Sequence, residues 1–585
     1  MVGRKYRRTW LASGAVAGVL ALGLAACGSQ PTTTSGTGAG PTTITLVGGI
    51  QTEPTWWLPI VPVSFNSTSN DSTGLLWWPL LWINPSGIDY QRSIVDHIAI
   101  SHNDTVYTLT FNTKKWHWSN GKPVTAYDAA FSWSIDAATN TTSNGPWVNA
   151  AAGSNSFDII KSEVATNANT LVVTIKHPAN PLWIELNALN YAEPMPKSVW
   201  DKYPNNMHQE LTWMYSMGDK PSNAAFKVID GPYMEKTFVQ DQYWTLQANP
   251  HFSGHKATIK TLVYDYETGD SSVFAALKKG VFATTDLPSA YTTAADQLKH
   301  IYRVTSAPYV YAWNLLEPNM SPKAPVIGNL FTKLYFRQAM QMGINEPAIV
   351  KDFYGGYAVS NYIPLPKEPI NKFYDYKIPV YYGYNPARGR KLLESHGWHM
   401  VNGVMQRNGV QLKFQFLAMS GDNTDNTIEQ YLKSTWAKEG IDVTIKTEPF
   451  TQLIDVVTNP KDVNQWTLAW WGAGWFTGTG FPFLSAYTCG SAYNFSGYCS
   501  HTLDKIVAQA YKPGSIANTY KIVDQYEQYT ARQLPVLLLP EYVGASGSPA
   551  PLQVIEPWLH GVVKWNEPTT GGQEVWHWTT TKPTT

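Results

Sequence analysis

The chain has 585 residues, in which 43 lysines and arginines balance 43 aspartates and glutamates, and charged residues make up only 15% against 43% apolar residues. This length exceeds what one hydrophobic core usually serves, so at least two lobes are predicted. The low, balanced charge excludes a charged disordered protein and argues against nucleic acid as the main partner. The 25 tryptophans and 33 tyrosines exceed what folding alone requires.

Residues 1–27 are predicted to be an export signal. A basic start is followed by an apolar run over 11–26 that is too short for a confident membrane span. The run closes on Leu-Ala-Ala-Cys, which resembles a bacterial lipobox and implies cleavage before Cys27 and a lipid on its thiol. An ordinary secretory cut near Cys27 is the alternative. Arg7 and Arg8 also resemble a twin-arginine signal, so the export route stays open.

The segment 28–42 contains no charge and no large apolar side chain. Such a stretch cannot bury enough surface to order itself, so we expect a flexible tether. Because the export signal carries four cations and no acids, the mature chain is slightly acidic.

Beyond the tether, strand-like and helix-like segments alternate, which is typical of a mixed α/β protein in at least two lobes. In chain order the pattern predicts a strand at 43–47, a strand at 104–112, a turn at Asn120–Gly121, a helix from Thr125 with Asp128 in its first turn, strands at 244–248 and 259–266, a helix at 271–280, a strand at 309–316, helices at 334–343 and 387–397, a strand at 412–417, a helix at 426–440, a strand at 442–449, and short strands near the end.

Cys489 and Cys499 are the cysteines left after the proposed lipid site. In an exported protein such a pair predicts a disulfide, with two free buried thiols as the alternative. The histidine pairs His251/His255 and His396/His399 are interrupted by glycine or proline and have no third ligand. We therefore expect neither a metal nor a cofactor.

Four blocks in this order resemble the bacterial extracellular solute-binding proteins of the oligopeptide- and dipeptide-binding type, which serve ABC importers. They are YTLTFNTKKWHWSNGKPVTAYDAAFSW at 107–133, GPYMEKTFVQDQYWTLQANPHFSG at 231–254, LYFRQAMQMGINEPAIVKDFYGGYA at 334–358 and NFSGYCSHTLDKIVAQA at 494–510.

The resemblance implies a two-lobed periplasmic-binding-protein type II fold with an extra domain and a ligand cleft between the lobes. It assigns 43–76, 196–304 and 555–585 to lobe one, 77–195 to an extra inserted domain, and 305–554 to lobe two. Closure of the lobes on a hinge would then provide affinity.

The segment QWTLAWWGAGWFTGTGFPF (465–483) is the most informative about the ligand. The comparable segment of peptide-binding members carries an Asp that pairs with the peptide's α-ammonium, and that position falls on Gly474. The expected cleft residues here are Trp470, Trp471, Trp475 and Phe476. Since strand neighbours alternate, we expect about one of Trp470 and Trp471 to face the cleft.

Two further segments are predicted to reach the cleft. Glu53, Trp56 and Trp57 follow the first strand at its carboxyl end, and Glu53 is a candidate replacement for the missing Asp. The alternative for Glu53 is a solvated surface side chain. Trp313 and Asn314 are candidates for the cleft floor, with plain core packing as the alternative.

The resemblance implies a substrate-binding lipoprotein that captures peptides and delivers them to ABC permease subunits from the outer face of the membrane, acting as a monomer. Gly474 and the tryptophans keep an oligosaccharide or another uncharged solute open as the ligand. A glycoside-acting enzyme and a solute sensor are the alternatives from other classes. No nucleophile elbow, metalloprotease, P-loop or dinucleotide motif supports an enzyme.

Overall fold

A computed structural model gives the architecture of the chain. It describes residues 40–50, 52–60, 66–84, 87–139, 147, 159–190, 193–307, 312–325, 328–368, 371–472, 474–476, 480–491, 493–541, 552–562 and 574–581. The predicted signal with Cys27, and the tether up to residue 39, lie outside the described residues. Among the helices that are described, none has the length and apolar character to cross a membrane.

The strands, numbered along the chain, are β1 Thr43–Ile50, β2 Ile83–Asn84, β3 Gly87–Ile88, β4 Val95–Ser101, β5 Val106–Phe111, β6 Ile160–Asn167, β7 Thr170–Ile175, β8 Tyr233–Val239, β9 Tyr243–Ala248, β10 Thr261–Glu267, β11 Thr284–Leu287, β12 Arg303–Ser306, β13 Ala312–Pro318, β14 His399–Val401, β15 Val404–Arg407, β16 Val410–Gln411, β17 Lys413–Met419, β18 Asp442–Glu448, β19 Leu468–Trp470, β20 Gly474–Phe476, β21 Leu537–Leu539, β22 Leu552–Ile555, β23 Leu559–His560 and β24 Thr579–Thr580.

The α-helices are α1 Ser67–Leu76, α2 Ala126–Thr139, α3 Pro181–Trp183, α4 Lys197–Trp200, α5 Met207–Met217, α6 Asp270–Leu277, α7 Leu334–Met342, α8 Glu346–Ala348, α9 Pro386–Ser395, α10 Asn423–Ala437, α11 Phe450–Thr458, α12 His501–Ala510 and α13 Ile516–Gln533. Short 3₁₀ or π segments are Ile184–Ala188, Ala224–Lys227, Ser289–Leu298, Gly328–Thr332, Ile349–Phe353, Leu484–Tyr487 and Val575–His577.

The first lobe is built on a seven-stranded sheet in the order β12-β22-β11-β1-β10-β9-β8. In it β1 runs parallel to β10 and β11, while β9 and β22 pair antiparallel with their neighbours. The sequence-based division assigned residues up to 554 to lobe two, whereas pairing places Leu552–Ile555 in this first sheet. The late return of the chain therefore begins slightly earlier than that boundary. The first sheet likewise extends through Ser306, beyond the predicted end of the lobe-one segment at 304, because β12 pairs with β22. The rest of the division into domains stays a prediction.

The second lobe is built on a six-stranded sheet in the order β18-β17-β19-β13-β20, with β21 also paired to β13. β17 runs parallel to both β18 and β19. Every residue of β13 is buried, as expected for a central strand covered on both faces. The two predicted lobes are thus two separate mixed sheets, each flanked by helices.

The inserted segment forms a four-stranded antiparallel sheet, β4-β5-β7-β6, packed against α2. β5 has the alternation of buried and more exposed residues that its sequence predicts. At the start of α2, the Asp128 carboxylate accepts hydrogen bonds from the backbone N–H (2.9 Å) and hydroxyl (2.8 Å) of Thr125. The acid, and not the threonine side chain, therefore provides the acceptor that orders this helix start.

An aromatic cluster joins the first lobe, the insertion and the C-terminal tail. We define it as Trp78, Trp82, Trp116, Phe252 and Trp576, all buried. The Trp78 ring stacks on those of Trp82 and Trp116 at centroid distances of 4.7 and 5.6 Å, and meets Phe252 and Trp576 edge-on. A large part of the tryptophan surplus is therefore core.

Candidate functional site

The elements that follow the parallel strands of the two lobes contact each other. In the first lobe, α6 follows β10 and the 289–298 segment follows β11; in the second, α10 follows β17. The helix α10 packs against the 289–298 segment, so the two carboxyl edges meet. Because open α/β sheets gather ligands at this edge, we take the zone between the lobes, the inter-lobe cleft, as the candidate site.

Trp470 and Trp471 lie at the carboxyl end of β19 and are both buried, with exposed fractions of 1% and 5%. The Trp470 indole N–H donates to the side-chain oxygen of Asn314 at 3.0 Å. The Trp471 ring lies 6.2 Å from that of Phe495, with an angle of 66° between the two ring planes. Both rings therefore have packing partners in the second lobe, and the prediction that one of them faces the ligand stays a prediction.

Trp313 and Asn314 lie on β13 at the centre of the second sheet, and both are buried. The Trp313 indole N–H donates to the Tyr487 hydroxyl at 3.1 Å, and the Asn314 amide donates to the Pro540 carbonyl at 3.4 Å. These bonds satisfy polar groups inside the lobe, as the packing alternative requires.

Strand β20 brings the predicted Gly474–Phe476 segment beside β13. Gly474 pairs with Asn314 and Trp475 pairs with Trp313 in the backbone register. The side chains of Trp475 and Phe476 lie outside the described part, so their role in ligand contact stays a prediction.

Glu53 is half-buried at the carboxyl edge of the first sheet. Its Oε2 accepts the backbone N–H of Asp241 at 2.8 Å, in the turn between β8 and β9. Partial burial raises the pKa of Glu53, and this hydrogen bond opposes the rise. Glu53 is therefore at the predicted edge, although it is already bonded to its own lobe.

Trp56 and Trp57 are buried inside the first lobe. A side-chain carbon on Gly218 would lie only 2.2 Å from the Trp56 ring, so the glycine makes room for the indole. The Trp56 ring also packs on Tyr215, and that of Trp57 packs on Phe238. These contacts are within the lobe, and ligand contact by either tryptophan stays a prediction.

Cys489 and Cys499 are joined by a disulfide with an S–S distance of 2.06 Å. The loop they close precedes α12, and the Cys489 backbone N–H donates to the Asp504 carboxylate of that helix at 3.0 Å. Among the described residues, the grouping of potential metal ligands consists of these two sulfurs and His501. Since both sulfurs are already bonded to each other, that grouping has no thiolate to offer a metal.

A set of acids in the cleft was missed from the sequence. We call it the acidic cleft cluster: Asp270 at the start of α6 in the first lobe, and in the second lobe Asp422, which caps α10, with Asp425 and Glu429 on that helix. Asp425 and Glu429 are each only 1% exposed. The sequence feature that could have revealed them is the spacing of these acids, three and four residues apart, along the apolar stripe of an amphipathic helix.

Burial and mutual repulsion set the protonation of this cluster. Burial raises the pKa of Asp425 well above its usual range, and Asp422 and Glu429 raise it further. Burial and Asp422 raise the pKa of Glu429 to about 8. Burial and the charge of Asp422 also raise the pKa of Asp270 to about 6, which brings acids of the two lobes into one electrostatic unit.

Comparison with known proteins shows which family the chain resembles. The family described as bacterial extracellular solute-binding proteins, family 5 middle, matches residues 92–497. The chain is 26% identical over 345 residues to a putative ABC transporter peptide-binding protein of Brucella ovis, a match that spans 57% of this chain and 58% of that protein. It is 22% identical over 538 residues to the oligopeptide-binding protein AppA of Bacillus subtilis, covering 90% and 91% of the two chains.

Solved structures show the same fold. AppA from Bacillus subtilis in complex with a nonapeptide matches with a TM-score of 0.75 and 18% identity, over 93% of this chain and 100% of that one. DppA from Helicobacter pylori in complex with the peptide STSA matches with a TM-score of 0.73 and 19% identity, over 92% and 98%. The predicted two-lobed binding-protein fold is therefore confirmed, and the chain belongs to family 5 of the bacterial extracellular solute-binding proteins.

Proposed function

We propose that the protein is the substrate-binding component of an ABC importer and that it captures peptides in the inter-lobe cleft. The observation that carries this proposal is the meeting of two carboxyl sheet edges, one from each lobe, at α6, α10 and the 289–298 segment. A ligand held between two lobes stabilises the closed state, which a permease can then recognise.

Peptide is the favoured ligand because AppA and DppA were solved with bound peptides and the Brucella relative is named as peptide-binding. The family binds solutes and is not an enzyme family, which supports binding over turnover. Lipid attachment at Cys27, delivery to permease subunits and a monomeric state are further parts of the proposal. An oligosaccharide is the second candidate, favoured by Gly474 at the position where peptide binders carry an acid.

A binding screen tests the ligand class. The purified full chain in detergent is melted in the presence of a mixed pool of short peptides, a pool of oligosaccharides, or neither. We expect the peptide pool alone to raise the melting temperature, because a ligand at 100 times its Kd adds about 2.7 kcal/mol of stability. A rise with oligosaccharides only would overturn the peptide assignment, and release of hydrolysed sugars would overturn the binding-protein assignment.

Membrane attachment is tested separately. Wild type and Cys27→Ser are expressed in a bacterial host and fractionated, with metabolic labelling by a radioactive fatty acid. We expect wild type in the membrane fraction with label and the variant without label. Label on both proteins, or on neither, would contradict lipidation at Cys27.

A further inference from the structure

The buried stripe of α10 begins with carboxylates where an amphipathic helix ordinarily has apolar side chains. Asp425 and Glu429 occupy the stripe that Leu432 and Trp436 continue. Neither oxygen of the Asp425 carboxylate, nor Oε1 of Glu429, has a hydrogen-bond partner among the described residues. A buried carboxyl without a partner carries a large desolvation cost, which a hydrogen-bond donor from a ligand would reduce.

These carboxylates lie at the cleft end of the helix. Asp422 caps α10 by accepting the backbone N–H groups of Thr424 and Asp425 at 2.8 and 2.9 Å. Asp270, which begins α6 of the other lobe, is close enough for the charge of Asp422 to raise its pKa. Asp270 of the first lobe therefore lies within electrostatic range of the residue that caps α10.

The segment after β19 approaches Asp425 closely. Gly472 has φ of +76°, and a side-chain carbon there would lie 2.6 Å from Oδ2 of Asp425 and 2.8 Å from the terminal carbon of Met419. Only glycine fits both the backbone conformation and the space. The carboxylate thus lies directly against the backbone at Gly472, which follows Trp470 and Trp471.

The segments packed against α10 do not supply a cation to the cluster. On β17 and β18, Lys413 pairs with Asp442 at 3.5 Å and Lys446 pairs with Glu448 at 2.9 Å. The remaining charged residues on the packed segments are exposed, and they are Asp296 on 289–298 and Lys351 and Asp352 on 349–353. Described ion pairs therefore leave the four acids of the cluster unneutralised.

We propose that the acidic cleft cluster binds a primary ammonium group of the ligand, with Asp425 as its main carboxylate partner. This inference rests on the proposed peptide function, in which the ammonium comes from the free amino terminus. An ammonium carries three donors and a full charge, and one or two carboxylates suffice to hold it. The carboxylate would thereby stand on α10, and not on the β20 segment where Gly474 replaces an acid.

A divalent cation fits the cluster less well than an ammonium. Calcium requires six to eight oxygen ligands, and magnesium requires octahedral coordination. Among the described residues, the group of three potential metal ligands with atoms within 4.8 Å of one another is Cys489, Cys499 and His501. No three carboxylates of the acidic cleft cluster, all of whose residues are described, approach one another this closely. Acids spread this widely suit a cationic group on an extended ligand.

The test compares ligands that differ only in their amine. The purified full chain is titrated calorimetrically with a lysine-free pool of short peptides and with the same pool after N-acetylation. We expect the free-amine pool to bind about tenfold more tightly or better, as a buried charge-assisted hydrogen bond gives. In Asp425→Asn this preference should fall below about threefold, whereas Glu439→Gln, two residues beyond the carboxyl end of the same helix, should retain it.

Further probes identify the source of the ammonium and separate the two proposals. Spermidine and an N-acetylated peptide with one lysine test a free polyamine and a side-chain amine. Equal binding of free and acetylated pools would overturn the ammonium site and leave peptide binding intact. Binding of spermidine alone, lost in Asp425→Asn, would support the site and overturn the peptide function; no binding of any amine would overturn the site.

Two measurements guard against a folding artefact. Asp270→Asn alters a half-buried acid on the other lobe and should weaken the free-amine preference without disturbing α10. Calorimetry in buffers of different ionisation enthalpy should show proton release when the free-amine pool binds, because Asp425 must ionise to pair with the ammonium. Unchanged preference in both variants, or binding without proton release, would count against the site.

Discussion

The aromatic cluster and the buried carboxyls of the second lobe differ in how their contribution to stability depends on pH. The five aromatic members carry no ionisable group and pack ring against ring. In the second lobe, acids are buried instead, with no ion pair to them among the described residues: Glu317, Glu439, Glu527 and Glu541. The first arrangement contributes stability that is independent of pH, whereas the second contributes stability that depends on protonation.

Burial raises the pKa of Glu439 to about 9 and of Glu317 to about 8. Burial likewise raises the pKa of Glu527 to about 9 and of Glu541 to about 8. A carboxyl whose pKa is raised on folding binds more protons in the folded state. Its contribution is therefore present at low pH and is lost as pH rises from the unfolded value through the folded one.

The largest expected effect is the pH dependence of stability. Between pH 5 and pH 8.5, the melting temperature of the wild-type chain should fall by on the order of 10 °C, since each carboxyl costs about 1.4 kcal/mol per pH unit over its window. Scanning calorimetry in buffers of equal ionic strength measures it. A melting temperature that rises over this range would contradict protonated acids in the core.

A truncation in the aromatic cluster should have the next largest effect. Trp78→Ala removes four ring contacts and the indole N–H bond to the Arg92 carbonyl at 2.7 Å. We expect a loss of about 3–5 kcal/mol in the free energy of unfolding, measured by urea denaturation, and the same loss at pH 5 and pH 8.5.

Tyr127→Ala is the matched control for the aromatic cluster, because Tyr127 is 46% exposed on α2. It should change the free energy of unfolding by about 0.5 kcal/mol or less. A loss in Trp78→Ala that depended strongly on pH would remove the distinction between the two regions.

Helices and strands were predictable from the sequence where they depend on the residue pattern of one segment. The strand–helix–strand unit β17-α10-β18 was predicted at 412–417, 426–440 and 442–449, close to its observed bounds. The helix begins three residues earlier than predicted because Asp422, among several polar candidates in Asp422–Asp425, is the residue that caps it. Which candidate caps a helix depends on the preceding turn, and the residue pattern does not specify it.

The cleft could be predicted only in part, because burial is a tertiary property. The position of Trp56 after β1 was readable, but its burial depends on Gly218, which is distant in sequence and leaves space for the indole. The acidic cleft cluster was missed for a related reason. Asp425 and Glu429 belong to a helix that also carries exposed polar residues, and only packing shows which acids face inward.

A substitution of Glu439 tests whether a buried acid of the second lobe makes stability depend on pH. Both oxygens of Glu439 lack a hydrogen-bond partner among the described residues, and Oε1 lies against Gly389. Glu439→Gln cannot ionise, so it should raise the free energy of unfolding at pH 8.5 by up to about 5 kcal/mol, that is about 1.4 kcal/mol per pH unit above pH 5, and leave the value at pH 5 nearly unchanged.

The control for that variant is Glu394→Gln, since Glu394 is an exposed acid on α9. It should show no comparable pH-dependent gain. If Glu439→Gln destabilised the protein equally at both pH values, its carboxylate would be ionised in the folded state.

The smallest expected effect comes from an exposed ion pair. Arg390 Nε lies 3.0 Å from Glu394 Oε1 one helical turn away, and the two side chains are 44% and 42% exposed. Water already solvates both groups, and fixing two long side chains costs entropy, so Arg390→Gln should lower the free energy of unfolding by about 0.3–0.5 kcal/mol. Added salt should reduce even this difference. A loss above about 1.5 kcal/mol in urea denaturation would mean that surface ion pairs contribute substantially to stability. The contrast between pH-independent and pH-dependent regions would then have to include the surface.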